Sequence, residues 1–160
     1  MKKYNNGSFT LKNLNEEVEL YGWVQRKRNL GGLIFIDLRD RSGIIQLVVR
    51  PEDKFYDLAS SLKIESVIKA VGVISERESK NLNIPTGEIE VIVKDLALIN
   101  PSIDVPFEIG KDTTALEDTR LKYRYLDIRR ENIKNNLMLR HKVTMIARNF
   151  LSDLGFVEVE

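Results

Sequence analysis

Residues 33–40 read LIFIDLRD. A short run of branched and aromatic residues after Gly31-Gly32 predicts a strand, and strand side chains alternate between faces. Ile34, Ile36 and Leu38 then form an apolar row, while Leu33, Phe35, Asp37 and Arg39 share the other face. Two of those four are charged, so the second face meets water, and Phe35 stands on it. The run GIIQLVVR at 43–50 alternates too, with Ile45, Leu47 and Val49 against Ile44, Gln46, Val48 and Arg50. Phe35 and Gln46 are thereby expected on one outer face. An exposed ring can stack on an unpaired base, and an exposed amide presents a donor and an acceptor to a base edge. Such contacts suit single-stranded loops, whose bases can splay out. Arg26 and Arg28 end the preceding strand beside this face, placed for phosphates or base edges. Strict alternation gives both the inward parity of Val24, so their outward placement requires the strand to leave the sheet. Taken singly, Phe35 covers a surface dent and Gln46 is a polar surface residue; together they point to nucleic acid.

Other chemistry is scarce. The chain has no cysteine and one histidine, His141, which excludes a disulfide framework, a thiolate or histidine metal cluster and a Ser/His/Asp triad. Asp37 and Asp40 have opposite parity, so DLRD is not expected to hold a metal. No glycine-rich phosphate loop followed by Lys-Ser/Thr is present. Lys and Arg total 25 against 24 Asp and Glu, so no global basic field attracts a polyanion. Two local basic clusters exist, RKR at 26–28 and RLKYRYLDIRR at 120–130, each of which equally suits an ion-paired surface. No apolar run reaches membrane-spanning length, and MKKYNNGSFTLKN lacks the apolar segment of a signal peptide, so a soluble cytoplasmic protein is expected.

Five strand-like segments must position these residues: EVELYGWVQRKR, LIFIDLRD, GIIQLVVR, SVIKAVGVISER and GEIEVIVKDLALI. Between the third and fourth lies PEDKFYDLASSL, where Pro51 suits a first helical position and Phe55, Leu58 and Leu62 recur at helical spacing. Five short strands with a helix between the third and fourth predict an all-β OB-fold barrel of Greek-key type, whose strand-two and strand-three face is the usual binding surface. NLGG at 29–32 and DRSG at 40–43 are expected turns, and ESKNLNIPTG at 78–87 a loop longer than a hairpin needs. The barrel is expected over 1–100 and a linker over 101–130, helical in its later part. A helix follows from Glu131, with Leu139, Val143, Ile146 and Phe150 on one stripe and Gly155 as its C-cap. FVEVE then begins a strand without a partner, as expected of a chain interrupted inside a domain spanning 131–160.

The stretch GWVQRKRNLGGLIFIDLRDRSGIIQLVV at 22–49 closely resembles the anticodon-binding OB domain of bacterial-type aspartyl-tRNA synthetases. GEIEV resembles that domain's fifth strand, RLKYRYLDIRR its hinge, and LRHKVTMIARNFLSDLGFVEVE class II motif 1, broken off before the family's proline. The lysyl and asparaginyl relatives share the fold and a shorter RYLD signature. The resemblance implies a full-length ligase that attaches aspartate to tRNA(Asp) through aspartyl-adenylate, using ATP and Mg2+. It implies contact with a GUC anticodon stem-loop and a homodimer formed through motif 1, with neither membrane nor DNA as partner. Phe35 matches the stacking aromatic, Gln46 the reader of the middle base, and Arg26 and Arg28 the arginines beside them. Arg77, Asn81 and Asn83 match the loop that meets the last anticodon base, and Glu90 the carboxylate facing the first. Leu30 stands where relatives that also charge tRNA(Asn) carry histidine, which favours a strict aspartyl enzyme. Motifs 2 and 3 and the aspartate pocket are absent, so the chain alone is expected to hold no catalytic residue or cofactor and not to aminoacylate. The alternatives are a free-standing OB module that binds RNA or protein, and an asparaginyl enzyme.

Overall fold

The computed structural model describes residues 5–110 and 113–159. The first four residues of the expected barrel, Lys111 and Asp112 of the expected linker, and Glu160 of FVEVE lie outside the described residues. The chain divides into two compact units, Met1–Val105 and Pro106–Glu160.

In the first unit, β1 (Glu17–Leu30), β2 (Leu33–Arg39), β3 (Ile44–Val49), β4 (Val67–Glu76) and β5 (Ile89–Asn100) close into a barrel in the order β1-β2-β3-β5-β4. Neighbours are antiparallel except β3 and β5, which are parallel. This is the expected five-stranded OB barrel. Its interior is the apolar set that alternation predicts: Ile34, Ile36 and Leu38 from β2, Ile45, Leu47 and Val49 from β3, all essentially inaccessible to water. β1 serves two partners. Its first half pairs with β4 and its second with β2, and Trp23 pairs with both Val67 and Arg39. At Gly22, next to this changeover, an added Cβ would lie 2.4 Å from the Arg39 carbonyl oxygen, so only glycine permits the approach.

The β1–β2 connection is tighter than NLGG suggests. Leu30 pairs with Leu33, leaving Gly31 and Gly32 alone in the turn at φ 62° and 90°. Positive φ at both central residues is the geometry that matches hairpin twist, and it favours glycine. The helix after β3 is shorter than expected. α1 spans Tyr56–Ser61, with Pro51 outside it in a turn. The Asp53 carboxylate accepts from the Arg50 N–H at 2.7 Å, Asp53 N–H bonds back to Arg50 O, and Tyr56 N–H to Asp53 O. These turns take the backbone groups that a helix from Pro51 would have used. Phe55, Ala59 and Leu62 still face the core. Asp40 shapes the β2–β3 turn: Oδ1 accepts from the Ser42 N–H, the Ser42 hydroxyl and the Gly43 N–H, and Oδ2 from the buried Asn6 N–H.

The second unit holds α2 (Glu117–Lys122), α3 (Arg124–Asp127) and α4 (Glu131–Asp153). Part of the basic cluster at 120–130 is ion-paired: the buried Asp127 accepts from Arg124 at 2.7 Å and from Arg130 at 3.1 Å. α4 ends as expected. Gly155 has φ 85°, and the Phe156 N–H returns to Leu151 O. Residues 156–159 form no strand. The stripe Leu139, Val143, Ile146 and Phe150 is exposed. No described helix is long and apolar enough to cross a membrane.

Candidate nucleic-acid interface

The outer face of β1, β2 and β3 carries the candidate residues in cross-strand rows. Arg26, Asp37 and Gln46 are direct partners on the three strands, and Arg28, Phe35 and Val48 form the next row. The arginines reach this face by a different route from the one expected. β1 does not leave the sheet. Its register shifts between Val24, which pairs with Leu38, and Arg26, which pairs with Asp37. One extra residue, Gln25, reverses the parity of everything after it. Arg26, Arg28 and Leu30 therefore point outward, while Lys27 turns to the opposite face and donates to the carbonyls of Ser60 and of Leu62, the latter at 2.7 Å. These carbonyls end α1, where a cation is favourable. Burial lowers the Lys27 pKa.

Phe35 is half-buried, on the outer face as alternation requires. It lines a shallow cavity of about 270 Å3 together with Leu33, Gln46, Val48, Glu78 and Glu90. Gln46 differs from its expected exposure. It is only 7 % exposed, because β3 is flanked on both sides and neighbouring side chains roof it. Its amide is engaged at both ends: Oε1 accepts from Arg28 Nη2 at 3.2 Å, and Nε2 donates to Glu90 Oε2 at 2.9 Å. Arg28 can only donate and an ionised carboxylate can only accept, so the amide orientation is assigned. One lone pair on Oε1 and one N–H on Nε2 are left over. The same Arg28 Nη2 also donates to Asp37 Oδ1 at 3.1 Å.

Arg77 closes the site from the end of β4. It is 6 % exposed, and its Nε donates to Ile89 O at 2.8 Å. Burial lowers its pKa, opposed by the nearby carboxylates of Glu90 and Asp37. Among the described residues, Arg77 Nη2 and Arg28 Nε are buried with no acceptor. Buried donors without partners are costly. Burial pushes the Glu90 carboxyl above its ordinary 4.5, against the pull of the Gln46 N–H and the Arg77 charge. A carboxyl with a raised pKa in the fold binds more protons folded than unfolded, so its contribution to stability declines as pH rises from 4.5 through the folded value. Glu90→Gln, which keeps an acceptor for Gln46, is expected to flatten that decline and to be no less stable than the parent at neutral pH. Urea midpoints measured from acid to neutral pH check this; a variant less stable at neutral pH contradicts it.

The structure does not bring every candidate together. Leu30 lies on the same face but at the exposed hairpin end. Asn81 and Asn83 are exposed on the β4–β5 loop and do not line the cavity. Asn81 Oδ1 accepts from the Asn83 N–H at 3.1 Å, shaping the loop. Arg26 is exposed and has no ion pair among the described residues, which suits a phosphate contact. Sequence reasoning missed the part played by Asp37. Its outward parity was the available signal, but parity does not reveal the diagonal bond to Arg28.

Residues 18–99, about half of the chain, match the OB-fold nucleic acid binding domain family. The chain belongs to that family. Beyond this OB domain, residues 116–160 match the class II tRNA synthetases of the D, K and N group. The chain is 49% identical over 156 residues to an aspartate–tRNA ligase of Bacteroides thetaiotaomicron, and 51% identical over 154 residues to that of Mycoplasma capricolum. Each alignment covers 96% of this chain but 27% and 26% of the relative, so the chain spans about a quarter of their length. Among solved structures, the asparaginyl-tRNA synthetase of Pyrococcus horikoshii with asparaginyl-adenylate superposes with a TM-score of 0.84 at 27% identity, covering 100% of this chain and 36% of that one. The aspartyl-tRNA synthetase of Entamoeba histolytica gives a TM-score of 0.90 at 19% identity, covering 99% and 39%, a likeness of fold.

Proposed function

We propose that this chain binds the anticodon loop of tRNA(Asp) as the N-terminal part of an aspartate–tRNA ligase. The observation that carries the reading is the pairing of a half-exposed ring with an oriented amide. Phe35 offers a stacking surface beside Gln46, whose amide is turned by Arg28 and Glu90 and keeps one donor and one acceptor free. Stacking tolerates any base, whereas a directed donor–acceptor pair distinguishes base edges. In this reading Phe35 stacks, Gln46 reads the middle base and Glu90 faces the first. Arg77 meets the third with the loop carrying Asn81 and Asn83, and Arg26 contributes positive charge. Arg28, tied to the reading amide, acts on selectivity rather than as a free phosphate ligand. In the longer protein, class II similarity supports ATP and Mg2+ use for aspartate activation, the exposed α4 stripe a homodimer surface, and cytoplasmic tRNA charging the setting.

Titration with GUC stem-loops changed at one anticodon base at a time tests the reading. The GUC loop is expected to bind tightest. Gln46→Ala is expected to reduce the preference for the middle base by about tenfold, the value of one hydrogen bond in a directed pair. Equal binding of all loops by the parent chain contradicts anticodon reading, and a preference for GUU favours an asparagine enzyme.

A further inference from the structure

We infer that Asp37 is a positioning residue of this interface: its carboxylate holds Arg28 against the Gln46 oxygen and thereby sets which way the Gln46 amide faces. The inference rests on the reading of Gln46 as the base-contacting amide.

A carboxylate is out of place on a surface that meets a polyanion, where it repels phosphate. Asp37 nevertheless sits at the centre of this face, directly between Arg26 on β1 and Gln46 on β3. Its ion pair runs diagonally to Arg28 at 3.1 Å instead of straight across to Arg26. The two hydrogens of Arg28 Nη2 are thus divided between Asp37 Oδ1 and Gln46 Oε1. That nitrogen is saturated within the protein, and Arg28 is anchored with its donor aimed at the amide. The arginine side chain is about one-third exposed, at 35%, so without the anchor it is free to swing to solvent or to a phosphate. Gln46 Oε1 would then lose its donor. Glu90 alone would remain to orient the amide, through one bond on Nε2. Asp37 also faces the buried Arg77 charge and supports it, so one carboxylate serves two of the arginines around the amide.

Removing charge and removing position have opposite signatures. If Asp37 were only a misplaced negative charge, its loss would strengthen binding to every stem-loop alike. As a positioning residue, its loss should erode selectivity. The test uses the whole chain with the GUC stem-loop and a GCC stem-loop. Asp37→Ala is expected to lower the GUC-to-GCC affinity ratio by roughly tenfold, the scale of one charge-assisted hydrogen bond. Its affinity for GCC should be unchanged or higher. Asp37→Asn, which keeps an oxygen for Arg28, is expected to retain most of the ratio. If Asp37→Ala does not fold, Asp37→Ser, polar but too short to reach Arg28, replaces it. An equal gain on both loops, or an equal loss of ratio in the alanine and asparagine variants, overturns the inference. A parent chain that shows no GUC preference overturns the underlying reading, and that is seen before any variant is made.

Discussion

Phe35→Ala is expected to weaken binding of a GUC stem-loop by about 1–3 kcal/mol, the value of one base stacked on an aromatic ring, while the barrel stays folded. The ring stands on the outer face between Arg28 and Val48, so its truncation removes one set of cross-strand contacts, about 1 kcal/mol or less. Ile36, the next residue, points into the barrel and is fully buried. Ile36→Ala is expected to cost about 2–5 kcal/mol of stability through lost burial and the cavity left behind. Its effect on RNA binding, measured where the variant is folded, should be small. Adjacent residues on one strand thus have opposite consequences, because β alternation sends one to the interface and the other to the core. Stem-loop titration and urea denaturation of the two variants check this together. If Phe35→Ala unfolds the barrel, or leaves stem-loop affinity untouched, the ring is packing and not a platform.

Glu65→Ala is expected to destabilise the barrel by about 3–5 kcal/mol, the usual consequence of leaving one member of a buried ion pair without its partner. Both Glu65 carboxylate oxygens accept from Arg39 Nη2, at 2.6 and 2.8 Å, and the two side chains are 4% and 11% exposed. The guanidinium also lies 5.9 Å from the centre of the Trp23 ring. The backbone around Glu65 joins β1 at the point where that strand changes partners: Glu65 N–H bonds to Val24 O, and Val24 N–H to Ser66 O. The pair therefore pins the loop before β4 to β1 and β2. Glu17→Ala, which breaks the exposed pair with Lys94, should leave the denaturation midpoint nearly where it was. Denaturant midpoints of the two variants decide it. A Glu65→Ala protein as stable as the Glu17→Ala protein would mean that Arg39 finds another acceptor at no cost.

The sequence by itself determined the elements. Five alternating runs, the buried row of Ile34, Ile36 and Leu38, the outward Phe35, the α4 stripe and the Gly155 cap are all properties of residues a few positions apart, and backbone periodicity reports them directly. Where a local pattern was broken, the sequence was silent. The bulge at Gln25, which turns Arg26 and Arg28 outward, has no periodic signature, because one inserted residue reverses parity without changing composition. Asp53 took the backbone bonds that a helix starting at Pro51 needed, a competition that helical spacing does not register. Tertiary structure alone decided the site. Gln46 comes from β3, Glu90 from β5 and Arg28 from β1, and only the closed strand order sets them within hydrogen-bond distance. Alternation assigns a side chain to a face; which neighbours roof that face, and so whether an amide is exposed or held, depends on strands 18 and 44 residues away along the chain.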